Sequence, residues 1–447
     1  MDVRKILPKD WKWVRLGEVC DKISLNKIKI KQKDYLEEGV FPVIDQGQVL
    51  IGGYYNDKNL VIPNEPPYVI FGDHTKVKKF INFKFIAGAD GVKVLKAKDV
   101  IDSKFLFYSL YTIKIEDKGY ARHFQLLEKE LFPLPPKPTQ QAIVSKIEEL
   151  FSELDKGIEN LRLAQQQLKT YRQSVLKWAF EGKLTNNLDS RNNRDKYDSF
   201  DLNDEHDVSI AAEPEAGYKT KKNQGNQNNH INHSSDKDEL PEGWKWVKTS
   251  DVIEIINNGY TPTSQYLSQG SGEVPFIKVY NLNFNGSLNF IKNPTFIPLA
   301  NHKKDLKRSI CLPGDVLINI VGPPLGKVSI VTNQYPEWNI NQAIVMFRPN
   351  EKVLSKYISY FMQNSVTINW LENTSKATAG QWNVKVSTCR EIPFPFCSIE
   401  EQHNIVQAIE SRLSVADKME ESITQSLQQA EALRQSILKK AFEGKLI

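Results

Sequence analysis

Cysteine is scarce in this chain. Cys20, Cys311, Cys389 and Cys397 are scattered with no C-x-x-C pair, which excludes the usual zinc-ribbon spacing and a disulfide framework. Long apolar runs are missing too: none approaches the ~20 residues needed to span a bilayer. The opening MDVRKILPKDWKW has no hydrophobic signal core. The expectation is a soluble protein of a reducing, cytoplasmic compartment, with no membrane partner. Charge of one sign is also not in large excess. Lys and Arg number 59 against 54 Asp and Glu, a net of +5, which permits a nucleic-acid partner without demanding one.

Signatures of bond chemistry are equally thin. Gly322-Pro323-Pro324-Leu325-Gly326-Lys327 is one residue short of a phosphate loop, and Val328 stands where a magnesium-holding hydroxyl belongs. Two prolines there also remove N–H donors that such a loop needs. Glu65-Pro66-Pro67-Tyr68 has the wrong first residue for the D/N/S-P-P-Y/F motif of amino-methyltransferases, and reads as a proline-bounded strand start. No G-x-S-x-G or H-E-x-x-H occurs. His230 and His233 have metal-ligand spacing but no accompanying cysteine or carboxylate cluster.

What the chain does have is a repeat. Its 447 residues suffice for two to four domains. LPKDWKWVRLGEV (Leu7–Val19) returns as LPEGWKWVKTSDV (Leu240–Val252), 233 positions later. QSVLKWAFEGKL (Gln173–Leu184) returns as QSILKKAFEGKL (Gln435–Leu446), 262 positions later. At that second offset, Thr139–Leu184 matches Glu401–Leu446 without a gap and with about half the positions identical. Between the matched ends the two bodies share little, and the second is 29 residues longer. Like ends around unlike middles mean a duplicated scaffold with two different payloads.

The repeated segment reads as a long helix. In the first copy a seam of apolar or small residues runs through Leu150, Leu154, Gly157, Leu161, Ala164, Leu168, Tyr171, Val175 and Trp178. Its steps of 3 and 4 are those of a coiled coil. The second copy offers Ile409, Ala416, Met419, Ile423, Ala430, Leu433 and Ile437. Gly182 supplies a left-handed stop. About 40 residues make a rod of roughly 60 Å. Thr185–Glu239, rich in Asn, Asp and Lys and poor in aliphatics, reads as a flexible linker. It is long enough to let the second half turn back and lie antiparallel to the first. The expected organisation is a body at 1–138, a spacer helix at 139–184, the linker at 185–239, a second body at 240–397 and a second helix at 398–447. The class is α+β: two bodies of short strands and helices, each followed by a long helix, the helices pairing as an antiparallel coiled coil in a pseudo-twofold repeat.

Both bodies read as short strands with polar turns. In the first, Gln46, Gln48, His74, Thr75, Lys76, Lys78 and Lys79 lie at turns beside strands, and Arg122 and His123 sit near the end. In the second, Asn258, Tyr260, Thr261, Lys278, Asn281 and Asn283 cluster, joined by Lys327, Asn341 and Gln381-Trp382-Asn383. The run Gln381-Trp382-Asn383-Val384-Lys385 occupies, at the offset of 262, the position of Gly119–His123. Such side chains suit duplex DNA. Asn and Gln can bond adenine edges, Arg and Lys read guanine, and lysines neutralise phosphates.

These features together resemble the specificity (S) subunit of type I restriction–modification systems. The duplicated lead-in LPKDWKWVRLGEV and LPEGWKWVKTSDV carries the resemblance. So do NNGYTPTSQYL…VPFIKVYNL, LPGDVLINIVGPPLGKVSIV…NINQAIVMFRP, IPFPFCSIEEQHNIV and the closing RQSILKKAFEGKL. The resemblance implies two target-recognition domains that each read half of a split DNA sequence. It implies helices that set the spacing and dock two methyltransferase (M) subunits, with restriction (R) subunits joining afterwards. It further implies that the chain is not itself an enzyme and binds no cofactor. S-adenosylmethionine, ATP and magnesium would belong to the partner subunits. The rival readings are a methyltransferase with its own recognition domain, a solitary two-domain sequence-specific DNA-binding protein, and a coiled-coil scaffold.

Overall fold

The structure is a computed structural model. It describes residues 7–185 and 240–447 except 26–27, 90, 117–118, 120–121, 323, 376 and 379–380. His230, His233 and all but the first residue of the Thr185–Glu239 stretch therefore lie outside the described residues. The chain forms two compact units, Met1–Gln165 with Glu421–Ile447, and Gln166–Glu420. The division runs through both long helices, Lys137–Phe180 and Ile399–Phe442. Each unit thus holds one body, half of one helix and the opposite half of the other. Among the described residues, no helix is long and apolar enough to cross a membrane.

The duplicated W-K-W-V lead-in is a strand in both units. Lys12–Arg15 pairs antiparallel with Leu131–Leu134, placing Trp13 opposite Pro133. Lys245–Lys248 pairs with Pro393–Phe396 in the same way, placing Trp246 opposite Pro395. In each case the beginning of a body is zipped to its end, immediately before the long helix departs. That explains why these segments repeat while the residues between them do not.

The interiors nevertheless share a topology. In the first unit a four-stranded sheet runs Cys20–Ile23, Val92–Ala97, Tyr68–Gly72, Lys78–Ile81, all neighbours antiparallel. In the second the order is Ile253–Asn258, Ile344–Pro349, Val316–Asn319, Val328–Ile330, again antiparallel. Each unit adds a second sheet containing a parallel pair, Phe41–Ile44 with Ile86–Gly88 in one and Val274–Ile277 with Trp338–Ile340 in the other. Glu65–Pro67 leads into a strand, as its prolines suggest. Tyr68 is fully buried there, packed edge-on against Phe85 at 5.4 Å between ring centroids.

Two pieces of the repeated segment are built into the bodies. Gln140, in the first turn of its helix, is buried. Its Nε2 donates to the carbonyls of Val100 (3.0 Å) and Pro135 (2.9 Å), and its Oε1 accepts from Asp102 N–H (2.7 Å). Gln402 repeats this with Lys352 O (2.9 Å), Cys397 O (3.1 Å) and Leu354 N–H (3.0 Å). At the other end, Phe442 packs 4.9 Å from Phe105 in the first unit, and Phe180 packs 5.1 Å from Tyr357 in the second. The closing turn of each helix thus completes the core of the body in its own unit. Gly182 and Gly444 follow with φ of +71° and +68°. The next residue's N–H reaches back to Trp178 O and to Lys440 O, both at 2.9 Å, which is the glycine-capped helix end. A Cβ on Gly182 would strike Pro241, and one on Gly444 would strike Pro8. Glycine is required here twice over, by conformation and by space.

Within each unit the helix halves pair antiparallel, as expected, but the seam has another phase. In the second helix the covered positions that recur at seam spacing are Ile409, Leu413, Ala416, Glu420, Ile423, Leu427, Ala430, Arg434, Ile437 and Ala441. Met419 and Leu433 are 54% and 50% exposed, and Gly157 of the first helix is exposed too. The seam admits arginine because the apolar stem covers the partner helix while the head finds a carboxylate. Arg434 pairs with Asp155 and stacks 4.5 Å from the Phe151 ring centroid in the first unit. Arg172 bonds Asp417 at 2.6 Å and Glu420 at 2.9 Å in the second. Arg172 and Arg434 are equivalent in the repeat, as are Asp155 and Asp417. The same bridge therefore forms once in each unit, with the two copies exchanging donor and acceptor.

Candidate nucleic-acid interface

In an antiparallel sheet, alternate strands end on the same side. In the second unit Asn258 ends one strand, Ile344 begins its neighbour, Asn319 ends the third and Val328 begins the fourth. Register pairs Asn258 with Val345, Asn319 with Ile344, and Ile318 with Val328. The loops at residues 259–261, 320–327 and 341–343 hence emerge from one end of the sheet. The parallel strands of the second sheet also finish there, because Asn341 N–H donates to Ile277 O at 3.0 Å. Lys278 follows Ile277 directly. In the first unit the corresponding end carries residues 73–77 and Gly91, together with Gln46 beyond the strand that closes at Ile44.

The first unit holds this end together through Asp73, which is buried. Its carboxylate accepts from Phe124 N–H (2.8 Å) and pairs with Lys93 (3.1 Å). Its backbone N–H donates to Gly91 O, and its carbonyl accepts from His123 N–H. Gln46 is drawn in by two bonds: its Oε1 accepts from His74 N–H (3.2 Å), and its carbonyl accepts from the Thr75 hydroxyl (2.7 Å). Gln46, His74, Thr75, Lys76 and the 122–123 segment are thereby brought together. Gln48 and Arg122 are exposed beside them. Lys78 lies over the Tyr111 ring at 4.7 Å, and burial together with the charge of Lys76 lowers its pKa.

Two residues of that set point inward. Lys79 is buried, and its ammonium donates to Val49 O at 2.5 Å. His123 is fully buried with Nδ1 at 3.0 Å from the Asp73 carbonyl. A carbonyl can only accept, so Nδ1 carries the proton. Both side chains are buried in the protein interior and are not exposed as direct base contacts.

In the second unit Gly259 N–H donates to Ile344 O, and Thr261 Oγ1 accepts from Gln342 N–H at 3.3 Å. This sets Asn258, Tyr260 and Thr261 beside Asn341. Tyr260 is 59% exposed. Lys278 lies 5.9 Å from the Tyr280 ring centroid, and Lys327 lies 5.8 Å from that of Phe284. Asn283 Nδ2 donates to Ser287 Oγ at 2.9 Å, holding the loop that carries Phe284. Asn281 is the inward member here. It is fully buried, its Oδ1 accepts from Lys278 N–H, and its Nδ2 donates to Asn289 O, both at 2.9 Å. It shapes the turn and is not available to a base. The Gln381–Trp382 strand adjoins the 320–327 loop through Gly322 N–H to Trp382 O at 3.2 Å, and Asn383 is exposed. Trp382 is half-buried against the core.

The sequence reading missed Asp73, Lys93, Tyr280, Phe284 and Asn319. Asn319 bonds Lys327 N–H and Pro324 O and so shapes the glycine–proline turn. A signal existed for the two aromatics: Tyr280 lies between Lys278 and Asn281, and Phe284 between Asn283 and Asn285, in a stretch already singled out. Asp73 gave only a turn signal.

A family model described as the type I restriction modification DNA specificity domain matches residues 8–162 and 241–429. The EcoDI specificity subunit of Escherichia coli is 23% identical over 98% of this chain and 89% of its own length. The EcoBI specificity subunit of the same species is 28% identical over 72% of this chain, a match that spans 59% of that protein. Two solved structures share the fold. One is a chain from work on complex assembly and conformational transition of the type I R-M system, with a TM-score of 0.61, 19% identity, and coverage of 98% of this chain and 99% of that one. The other is the HsdS subunit from Thermoanaerobacter tengcongensis, with a TM-score of 0.51, 18% identity and 99% coverage of both chains. This chain belongs to the family of type I restriction–modification DNA-specificity subunits.

Proposed function

We propose that the chain reads a bipartite duplex DNA target with its two recognition domains and docks methyltransferase and restriction subunits, without catalysing a reaction itself. One observation carries the reading. The same four-stranded topology occurs in both units, and at the same sheet end it presents different side chains: Gln46, Gln48, Thr75, Lys76 and Arg122 in one, Asn258, Tyr260, Thr261, Lys278, Asn283, Lys327, Asn341 and Asn383 in the other. A common frame with exchanged loops is what two independent half-sites require. The side chain of Gln381 lies outside the described residues; in this reading Trp382 buttresses the second set, while His74 and Lys78 buttress the first.

Docking of methyltransferase subunits falls to the helices. Leu163 and Leu433 in the first unit, and Val415 and Met419 in the second, are at least half exposed and off the seam. An open groove of about 440 Å³ lies between Leu150, Leu154, Leu433, Ile437 and Leu446. Apolar surface left uncovered on a helix pair suits a protein partner. S-adenosylmethionine, ATP and magnesium belong to the partner subunits. Two donors of the 322–327 turn are used internally, Gly322 N–H on Trp382 O and Lys327 N–H on Asn319 Oδ1.

The test is exchange of Leu240–Cys397 for the matching body of a relative, followed by sequencing of methylated sites in host DNA. One half of the target should change and the other persist. If both halves change together, or the footprint is one continuous site, the reading fails. Binding should also weaken steeply with salt as lysines release counterions.

A further inference from the structure

The strand Lys78–Ile81 alternates its side chains between two faces. Lys78 and Phe80 lie on the face packed against the helix Ser103–Thr112, over Tyr111 and 5.9 Å from Phe107. Lys79 points the other way and is 3% exposed. Its Nζ lies 2.5 Å from Val49 O, 3.4 Å from Leu50 O and 3.6 Å from Asp45 Oδ1. An ammonium has three donors; two carbonyls accept from it here, and the Asp45 carboxylate pairs with its charge. Buried in this way, the ammonium faces the protein and not a phosphate. The loop these partners belong to starts at Asp45, whose Oδ1 also accepts from Gly47 N–H at 2.9 Å. Its tip carries Gln48 and Val49, the latter 71% exposed. One buried charge thus ties the loop at its root and just beyond its tip.

We propose that Lys79 is a positioning residue for DNA reading: its inward ammonium fixes the loop of residues 45–50, so that Gln48 and Val49, and not Lys79, select base pairs in the first half of the target. The inference rests on the proposed function. Its chemistry is specific. Gln48 supplies an amide able to bond an adenine edge bidentately, and Val49 supplies an apolar surface for a thymine methyl. Both depend on a loop that would otherwise sample many conformations.

The experiment uses the full complex with its methyltransferase subunits. Lys79→Met should lower discrimination at base pairs of the first half-site by roughly 5- to 150-fold each, the range of a lost bidentate contact. The second half-site should be read as before, and the slope of log affinity against log salt should not change. A slope reduced by about 0.9 with discrimination intact would mean that Lys79 neutralises a phosphate, and would overturn the proposal. Should Lys79→Met fail to fold, two further measurements decide. Gln48→Ala and Val49→Ala, on exposed side chains, must reduce discrimination in the first half alone; unchanged discrimination overturns the proposal. In the unsubstituted complex, amine acylation read by mass spectrometry should leave Lys79 unmodified with or without DNA, while exposed Lys33 reacts. Reaction at Lys79 that DNA suppresses overturns it equally. A wild-type complex that reads no separate first half-site would instead defeat the proposed function, and the acylation result would still report on the clamp.

Discussion

Replacing Gln140 by alanine should be among the most damaging single changes in the first unit, and Gln402→Ala its match in the second. Each amide satisfies two carbonyls and one N–H at distances between 2.7 and 3.1 Å, with the side chain wholly inside. Alanine leaves all three groups without that partner. A buried polar group left unsatisfied costs ~1–3 kcal/mol. Carbonyls have a second lone pair and are cheaper to strand than an N–H, so the total should be near 3 kcal/mol rather than three times the upper bound. For units on the order of 200 residues, that lowers Tm by roughly 6–12 °C. Leucine should fare no better, because shape is kept but all three bonds are lost. The assay is denaturant and thermal unfolding followed separately through tryptophans of each body. The two substitutions should cost the same within ~0.5 kcal/mol and should add in the double variant, since they share no partner. If either costs under ~1 kcal/mol, or if the pair differs severalfold, the repeated clamp does not join helix to body as argued.

Other expectations concern the helices. Leu433→Lys and Met419→Lys should change stability by no more than ~0.5 kcal/mol, while Ala430→Lys should cost over ~2 kcal/mol, checked by urea denaturation; equal costs would restore the apolar-only seam. Gly182→Ala and Gly444→Ala should each destabilise by ~1–2 kcal/mol from conformation alone, and by more because Pro241 or Pro8 must move; calorimetry showing neutrality would contradict the cap geometry. Inserting seven residues after Gln166 and seven after Gln428 preserves the seam and adds about 10 Å of helix. It should lengthen the unread gap by about three base pairs, at ~3.4 Å each, with both half-sites unchanged. Sequencing of methylated sites reads this directly, and a gap that tracks the length of the 185–239 stretch would refute it.

The sequence alone determined the elements that depend on local rules. The duplicated lead-in strands, the two long helices, the glycine stops and the division into two bodies follow from repetition, heptad spacing and the left-handed preference of glycine. These signals live within a few turns of chain. Tertiary structure decided matters of direction. Alternation along Lys78–Ile81 says that neighbours face opposite ways, but not which face meets the second sheet, so Lys79 read as a surface charge until its ammonium was found on Val49 and Leu50. The same holds for His123 and Asn281, whose inward turn depends on Asp73 and Asn289. An apolar-only rule chose Met419 and Leu433 for the seam over Glu420 and Arg434, because the value of a seam arginine lies in a carboxylate on the other helix, hundreds of residues away in sequence. The common sheet order of the two bodies was hidden for a related reason. A four-stranded frame needs only apolar side chains at alternate positions, and many sequences supply them. What the bodies share is backbone pairing, which leaves little trace in residue identity, while the loops at the sheet end are free to differ.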